Sequence, residues 1–347
     1  MNTLLNISIP TYNRPDFLRK CLMSILTSVR NLNIEDRALV SVYVTDNSSS
    51  DSSMHIVENP IFKELNLYYK RNFENIGSDR NIALCYLYED AKFVMILGDD
   101  DFLSKNSLRN LIPLLKRGEY SIYFLRAYGL TSNEKESRDD RVRGMRVFNS
   151  IGEIVLERNI DLAFISNMIF RRCDYTEVEV GKGIGTSLVQ LSLVLNIARK
   201  CQGKSLYVDA DFIMATRNNT DSYNPVDIFV TNYFNVLLEN VNGDLNSVLP
   251  ALRTRMMHSF YNRSIAQYMR KNMTPLPEES LLILDSLYNS MILYRIFYRP
   301  LFQMSNFSSF SLLSFAYILG SVFYSRGSKI RDFRYHLFQW TKQFFER

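Results

Sequence analysis

The chain has 347 residues, 46% of them hydrophobic and 22% charged, a balance that folds and excludes a disordered or fibrous polymer. That length exceeds what one compact core ordinarily encloses, so a main domain with a second module is expected. The net charge of +5 conceals a split: from Leu245 onward 13 Lys and Arg face 5 Asp and Glu, leaving 28 against 31 elsewhere, which points the C-terminal part toward an anionic partner.

The first 125 residues alternate short apolar runs with helical stretches, the pattern of a parallel sheet covered by helices. Strands are predicted at Leu4 to Ile9, Leu39 to Val44, Leu65 to Tyr69, Phe93 to Leu97 and Ile122 to Leu125. Helices are predicted at Pro15 to Val29, Ser78 to Tyr88 and Lys105 to Leu115. Thr131 to Arg146 is dense in alternating charge and reads as an exposed loop. A strand at Phe164 to Phe170, a helix at Thr186 to Lys200 and one or two closing strands, Ser205 to Val208 and Phe212 to Thr216, complete this part. Beyond Pro225 the pattern is helical, with segments near 226–240, 246–270, 278–298, 308–324 and 328–345.

Cys21, Cys85, Cys173 and Cys201 lie far apart with no CxxC pair, which suits reduced residues of a cytosolic protein. The first ten residues read as a strand and a turn, so no cleaved leader is expected. The histidines His55, His258 and His336 fall in separate segments without metal-ligand spacing.

Polar clusters close the predicted strands, at the edge where open α/β sheets bind ligands. Pro10-Thr11-Tyr12-Asn13-Arg14 brings a hydroxyl, an amide and an aromatic ring suited to flanking a nucleoside. Asp46, ahead of Asn47-Ser48-Ser49-Ser50-Asp51, suits hydrogen bonds from a base or ribose. Asn75-Ile76-Gly77-Ser78-Asp79-Arg80-Asn81 opens a helix, whose N–H groups and Arg80 guanidinium suit phosphate or base. Each is also an ordinary polar turn or helix cap. Gly98-Asp99-Asp100-Asp101 delivers three mutually repelling carboxylates to the end of a buried strand. An oxygen-preferring cation, Mg²⁺ or Mn²⁺, bridging to substrate phosphates would relieve that repulsion. The same run also suits capping of the helix beginning near Ser104.

Taken in order, these four segments resemble the family 2 glycosyltransferases of GT-A fold, strongly to Asp101 and weakly to about residue 225. The forms NIGSDRN and LGDDD, with Ser166-Asn167-Met168-Ile169-Phe170-Arg171, are most similar to the abequosyltransferase-like branch of O-antigen sugar transferases. The resemblance implies a fold of α/β class, a GT-A domain with a mostly parallel central sheet over residues 1–224 and a helical, basic and aromatic module over 225–347. It implies a nucleoside-diphosphate sugar donor held by Pro10, Thr11, Tyr12, Arg14, Asp46, Asn75, Gly77, Arg80, Asp99 and Asp100. Asp101 would coordinate Mn²⁺ or Mg²⁺, and Asp99 would touch the ribose or share the metal.

An inverting member needs a carboxylate base near the acceptor hydroxyl. Many relatives carry it in a Glu-Asp pair, but Gly185-Thr186-Ser187-Leu188-Val189-Gln190 offers none. Asp209 and Asp211 stand in a later loop as substitutes, and each equally suits a solvated strand end. Without a base a retaining transferase remains open. Arg217-Asn218-Asn219-Thr220 suits donor phosphates, acceptor or a simple turn.

Leu301 to Tyr324 carries no charge but is diluted by Gln303, Asn306 and six serines, which favours a helical bundle or an interfacial position over a membrane span. Arg326 to Arg347 interleaves basic and aromatic residues, as suits anionic headgroups or an amphipathic core helix. The resemblance implies a polyprenyl-diphosphate-linked saccharide acceptor, with the protein peripheral on the inner face of the cell membrane. A nucleotidyltransferase, a degenerate transferase serving as a membrane scaffold and a nucleic-acid binder are the competing readings. The first ordinarily begins with a glycine-rich loop, which residues 7 to 14 lack, and no recognisable module supports the last.

Overall fold

A computed structural model describes residues 3–50, 53–87, 91–130, 140–201, 204–216, 224–240, 247–304 and 312–313. The chain divides into two compact units, residues 1–154 with 161–221 and residues 155–160 with 222–347.

The first unit runs β1 (Leu5–Thr11), α1 (Pro15–Arg30), α2 (Ile34–Arg37), β2 (Val40–Asp46), α3 (Ser53–Val57), β3 (Leu67–Arg71), α4 (Ser78–Cys85), β4 (Phe93–Ile96), β5 (Asp101–Leu103), α5 (Ser107–Arg117), β6 (Ile122–Leu130) and β7 (Gly144–Phe148). After α6 (Ile151–Arg158), whose last turn belongs to the second unit, come β8 (Met168–Arg171), α7 (Glu177–Gly181), α8 (Val189–Lys200) and β9 (Ser205–Thr216).

The strands form one sheet in the order β3-β2-β1-β4-β8-β6-β9-β5, with β7 also on β9. Strands β3, β2, β1 and β4 are mutually parallel, and β8 enters antiparallel between β4 and β6. The chain builds outward from β1 to β3, then returns to lay β4 on the other side of β1. The crevice between β1 and β4 is therefore a topological switch point, where ligands of open α/β sheets bind.

Local sequence explains the frame. Pro15 at the first helical position presets the backbone of α1, and Leu18, Cys21, Leu22, Ile25, Leu26 and Val29 recur at helical spacing in one core with Leu5, Ile7 and Ile9 of β1. The alternate β1 residues Asn6 and Ser8 are also buried, and they satisfy each other: Asn6 Nδ2 donates to Ser8 Oγ at 2.9 Å.

Several elements depart from the sequence expectation. The third strand lies two residues later, at Leu67–Arg71. Ile165–Asn167 forms a tight 3₁₀ turn, leaving only Met168–Arg171 as strand. The charged stretch expected as a loop ends inside β7, while its residues 131–139 lie outside the described residues. The two closing strands are one strand, β9, whose register against β6 shifts beside Arg126, so that the Asp209–Asp211 stretch bulges.

The second unit is helical: α9 (Tyr233–Asn240), α10 (Leu249–Met256), α11 (Asn262–Asn272), α12 (Glu278–Tyr288) and α13 (Arg299–Phe302), linked in places by wider π-type turns. Its core is aromatic, with Tyr233, Tyr261, Tyr288 and Tyr294 buried. Tyr233 Oη donates to the Asn159 carbonyl at 2.8 Å, which ties residues 155–160 into this unit. The helix expected over 278–298 is interrupted after Tyr288. Helical turns resume beyond Met291, and Arg299 clasps Asp285 across the break at 2.8–3.0 Å. The expected segments 308–324 and 328–345 fall outside the described residues except for 312–313.

Candidate active site

Parallel pairing brings the strand ends Thr11, Asp46 and Arg71 to one edge of the sheet, and Gly98 to Asp101 follow β4 at the same edge. At the switch point the first and last clusters meet. Thr11 Oγ1 donates to Asp99 Oδ2 at 2.8 Å, and Arg14, at the start of α1, reaches Asp99 Oδ1 and Asp100 Oδ2, both at 3.4 Å. Thr11, Asp99 and Asp101 are buried, Pro10 and Arg14 are half-buried, and Tyr12 exposes its ring.

The three aspartates do not cap a helix, because Asp101 opens β5 and pairs with Ala215 of β9. Thr216 Oγ1 donates to the Asp100 carbonyl, which fixes the turn from the other side. Burial raises the Asp99 carboxyl to about 6, against the hydrogen bond from Thr11; the charge of Asp100 adds to the rise and Arg14 opposes it. Burial and then the Asp100 charge push Asp101 to about 8, opposed by the hydrogen bond from Ser166.

Gly98 lies under the carboxylates. A Cβ there would meet Asp101 Oδ2 at 3.1 Å and Asp100 Oδ1 at 3.2 Å, so a side chain at this position would press on the two carboxylates that converge over it. Among the described residues no group of three or more His, Cys, Asp or Glu has the geometry to hold a metal unaided. Two converging carboxylates at a buried, electronegative strand end still fit a hard divalent ion, which takes part of its shell from substrate phosphates. Asp101 would hold it together with Asp99 or Asp100, both of which Arg14 also meets at 3.4 Å.

Ser166, absent from the residues expected at the site, lies directly beneath. Its hydroxyl donates to Asp101 Oδ2 at 2.5 Å and accepts the Gly98 N–H at 2.9 Å. Antiparallel pairing of β4 with β8, Met95 opposite Ile169, carries the turn before β8 under the turn after β4. That contact spans 65 residues, and the only sequence signal for it is the SNMIF segment.

The other clusters form a polar scaffold. Asp46 accepts from Ser49 N at 2.8 Å and from Tyr69 Oη at 2.5 Å, which holds the loop after β2. The Asn13 side chain accepts from Ser50 N at 2.9 Å, and Asn13 N donates to Ser49 Oγ at 2.9 Å, which locks the first two loops together. Asn47 donates to Asn75 Oδ1 at 2.8 Å and accepts from Asn72 and from Ile76 N; Asn72 also donates to Asn81 Oδ1 at 2.8 Å. Gly77 turns the chain into α4 at φ +84°, a conformation that L side chains rarely adopt. Arg80 is exposed on the first turn of α4. Its neighbour Asp79 accepts from Gly185 N at 2.7 Å and Ser187 N at 2.9 Å, joining α4 to the loop before α8.

Asp209 and Asp211 are engaged elsewhere. Arg143 contacts Asp209 at 3.1 Å and Asp211 at 3.0 and 3.1 Å, and Arg126 reaches both at 3.1 Å. Burial raises Asp209, but the hydrogen bonds from Arg143 and Arg126 outweigh it and hold the carboxyl below its ordinary value. The network clamps the β9 bulge; Asp209, held below its ordinary value, is a weakened base, and both carboxylates are engaged by arginines, so neither is assigned a part in proton removal. Arg217 to Thr220 lie outside the described residues.

Residues 7–178 match the family Glycosyl transferase family 2. Over 237 residues the chain is 25% identical to abequosyltransferase RfbV of Salmonella typhimurium (strain LT2), covering 63% of this chain and 68% of that one. It is 30% identical over 162 residues to the minor teichoic acid biosynthesis protein GgaA of Bacillus subtilis (strain 168), covering 43% of this chain but only 34% of GgaA. Among solved structures, S. aureus TarS 1-349 in complex with UDP-GlcNAc matches with a TM-score of 0.58 at 14% identity, over 93% of this chain and 91% of that one. The match to a longer TarS chain spans 54% of it. The mannosyltransferase PcManGT from Pyrobaculum calidifontis in complex with GDP-Man and Mn²⁺ matches with a TM-score of 0.51 at 13% identity, over 92% and 88%. At these identities the solved structures speak for the fold alone.

Proposed function

Because residues 7–178 are a family 2 glycosyltransferase domain of GT-A architecture, we propose that the chain transfers one sugar, a deoxyhexose, from a nucleoside diphosphate to a lipid-linked oligosaccharide in the synthesis of a cell-surface polysaccharide. The observation that carries the reading is the meeting of Thr11, Arg14 and Asp99 to Asp101 at the switch point between β1 and β4. The similarity to an abequosyltransferase supports the deoxyhexose, and GgaA supports the polysaccharide class.

In this reading Asp46 and Tyr12 border the nucleoside, with Pro10 shaping the turn, and Asp99 meets the ribose beside Thr11. Asn75 and Gly77 shape the loop that presents the α4 N-terminus and Arg80 to base or phosphate. Asp101, with Asp99 or Asp100 beside it, would hold Mn²⁺ or Mg²⁺, which when bound would supply positive charge against the charge of the leaving diphosphate. Arg14 lies beside Asp99 and Asp100 and offsets part of their charge. The acceptor hydroxyl forms the new bond to the anomeric carbon, the bond from that carbon to the phosphate oxygen breaks with its electron pair leaving on the nucleoside diphosphate, and the hydroxyl proton passes to that diphosphate or to solvent. The second unit brings the protein to the cytoplasmic membrane face where a polyprenyl-diphosphate acceptor resides.

Thermal-shift measurements with UDP, CDP, GDP and dTDP, each with Mn²⁺ and with EDTA, test this. One nucleotide that stabilises the protein only with Mn²⁺ supports the donor site and narrows the sugar. No response to any of the four sinks it and favours a noncatalytic scaffold.

A further inference from the structure

Beyond Tyr288 the second unit reverses the ordinary rule for a soluble helix. In residues 291–304 the inward side chains Tyr294, Tyr298, Leu301 and Phe302 are buried, as expected. Most of the outward ones are apolar as well, with Arg295 and Gln303 the polar exceptions: Ile292 is 65% exposed, Leu293 48%, Ile296 73% and Met304 44%. Helical turns apolar on both sides belong in a core or at a lipid boundary. Arg295 is exposed among these residues, and no Asp or Glu occurs between Asp285 and Asp332, a span that also holds Arg299, Arg326, Lys329 and Arg331. Arg299 is engaged with Asp285, which leaves Arg295 as the exposed cation of this short face.

We infer that the face formed by Ile292, Leu293, Ile296 and Met304, with Arg295, lies in the headgroup region of an anionic bilayer. No helix among the described residues is long and apolar enough to cross a membrane, so the contact is made in the plane of the interface. The apolar side chains enter the acyl boundary while Arg295 pairs with lipid phosphates. Charge selects this occupant: a face with a cation and without acids, in a chain whose acid-free stretch continues well past it, complements an anionic lipid surface. The inference deepens the membrane element of the proposed function and rests on it for its purpose, but it uses neither the donor site nor the cation.

The full chain is sedimented with vesicles of phosphatidylcholine alone and of phosphatidylcholine mixed with phosphatidylglycerol, alongside the double variant Ile292→Glu/Ile296→Glu and the single variant Arg295→Ala. The wild type is expected to bind the anionic vesicles and not the neutral ones. The double variant should lose at least about ten-fold in partitioning and Arg295→Ala about five-fold, with the melting temperature preserved in both. Wild-type binding by the double variant, or no binding by the wild type, overturns the inference. A lowered melting temperature in the double variant with unchanged vesicle binding also overturns it, by showing that residues of the chain itself cover the face. So does a wild-type dimer that the variant converts to a monomer without altering vesicle binding. The nucleotide thermal shift, run on the same proteins, separates the two readings: a retained response with failed vesicle binding removes the membrane face alone, and a lost response with intact binding removes the donor site alone.

Discussion

Replacing Ser166 by alanine isolates the support beneath the carboxylates. The hydroxyl makes two bonds in a fully buried place, donating to Asp101 Oδ2 at 2.5 Å and accepting the Gly98 N–H at 2.9 Å. Its loss strands a buried N–H, at a cost of about 1–3 kcal/mol in stability. It also frees the Asp101 side chain from its orienting partner. Removing the partner of a metal-holding carboxylate ordinarily weakens metal binding about 10- to 100-fold, or roughly 1.4–2.8 kcal/mol. The assay is a Mn²⁺ titration followed by electron paramagnetic resonance, with the stabilising nucleotide present, and with urea unfolding in EDTA measured on the same protein. The expected result is a weakened Mn²⁺ isotherm together with a folded protein of reduced stability. A stability loss with an unchanged Mn²⁺ isotherm would refute the reasoning, leaving Ser166 as a packing residue and Asp101 outside the cation site.

Three further outcomes are expected. In EDTA, the stability difference between the wild type and Asp101→Asn should depend on pH. A carboxyl raised to about 8 when folded binds its proton more tightly folded than unfolded, so its contribution is most favourable at low pH and is lost as pH rises through about 8; Asn does not titrate, so the variant should gain on the wild type between pH 5 and pH 8.5, and parallel curves would remove the shift. Gly77→Ala should destabilise by about 1–3 kcal/mol through backbone strain alone, since no atom lies within 4 Å of the added methyl; a stabilised variant in thermal unfolding would contradict the left-handed turn. Asp79→Ala should cost about 1 kcal/mol and speed amide exchange at Gly185 and Ser187, whose N–H groups it accepts; unchanged protection there would break the proposed tie between α4 and the loop before α8.

The clusters legible in the sequence were those in which chemistry is contiguous. Gly98 to Asp101 follows an apolar run, and Pro10 to Arg14 closes another, so a strand end with ligand-bearing residues could be read from each segment alone. Even the left-handed turn at Gly77 had a local signal, because glycine before a helical pattern marks such a position. The boundaries were less legible, since the residues that end a strand are chosen by its neighbours. Leu65 is as apolar as Leu67, but only Leu67 lies opposite Val42 of β2.

Long-range partners left almost no trace. Asp209 and Asp211 read as possible bases because a carboxylate near a strand end is locally indistinguishable from a free one. Their engagement is set by Arg126 on β6, brought alongside by parallel pairing, and by Arg143 just before β7, brought by antiparallel pairing. Ser166 and Asp101 are likewise joined only because β8 runs antiparallel between β4 and β6, a topology that the βαβ pattern does not announce. The carboxylate turn depends on the same non-local closure: Asp101 pairs with β9 and Thr216 holds the Asp100 carbonyl. The proposed donor half of the site is thus assembled from consecutive parallel strands, and the support of its carboxylates from segments that arrive 65 to 116 residues later. A substitution in β8 or β9 that slips either register should therefore displace Asp101 while leaving the Thr11 and Asp46 loops in place.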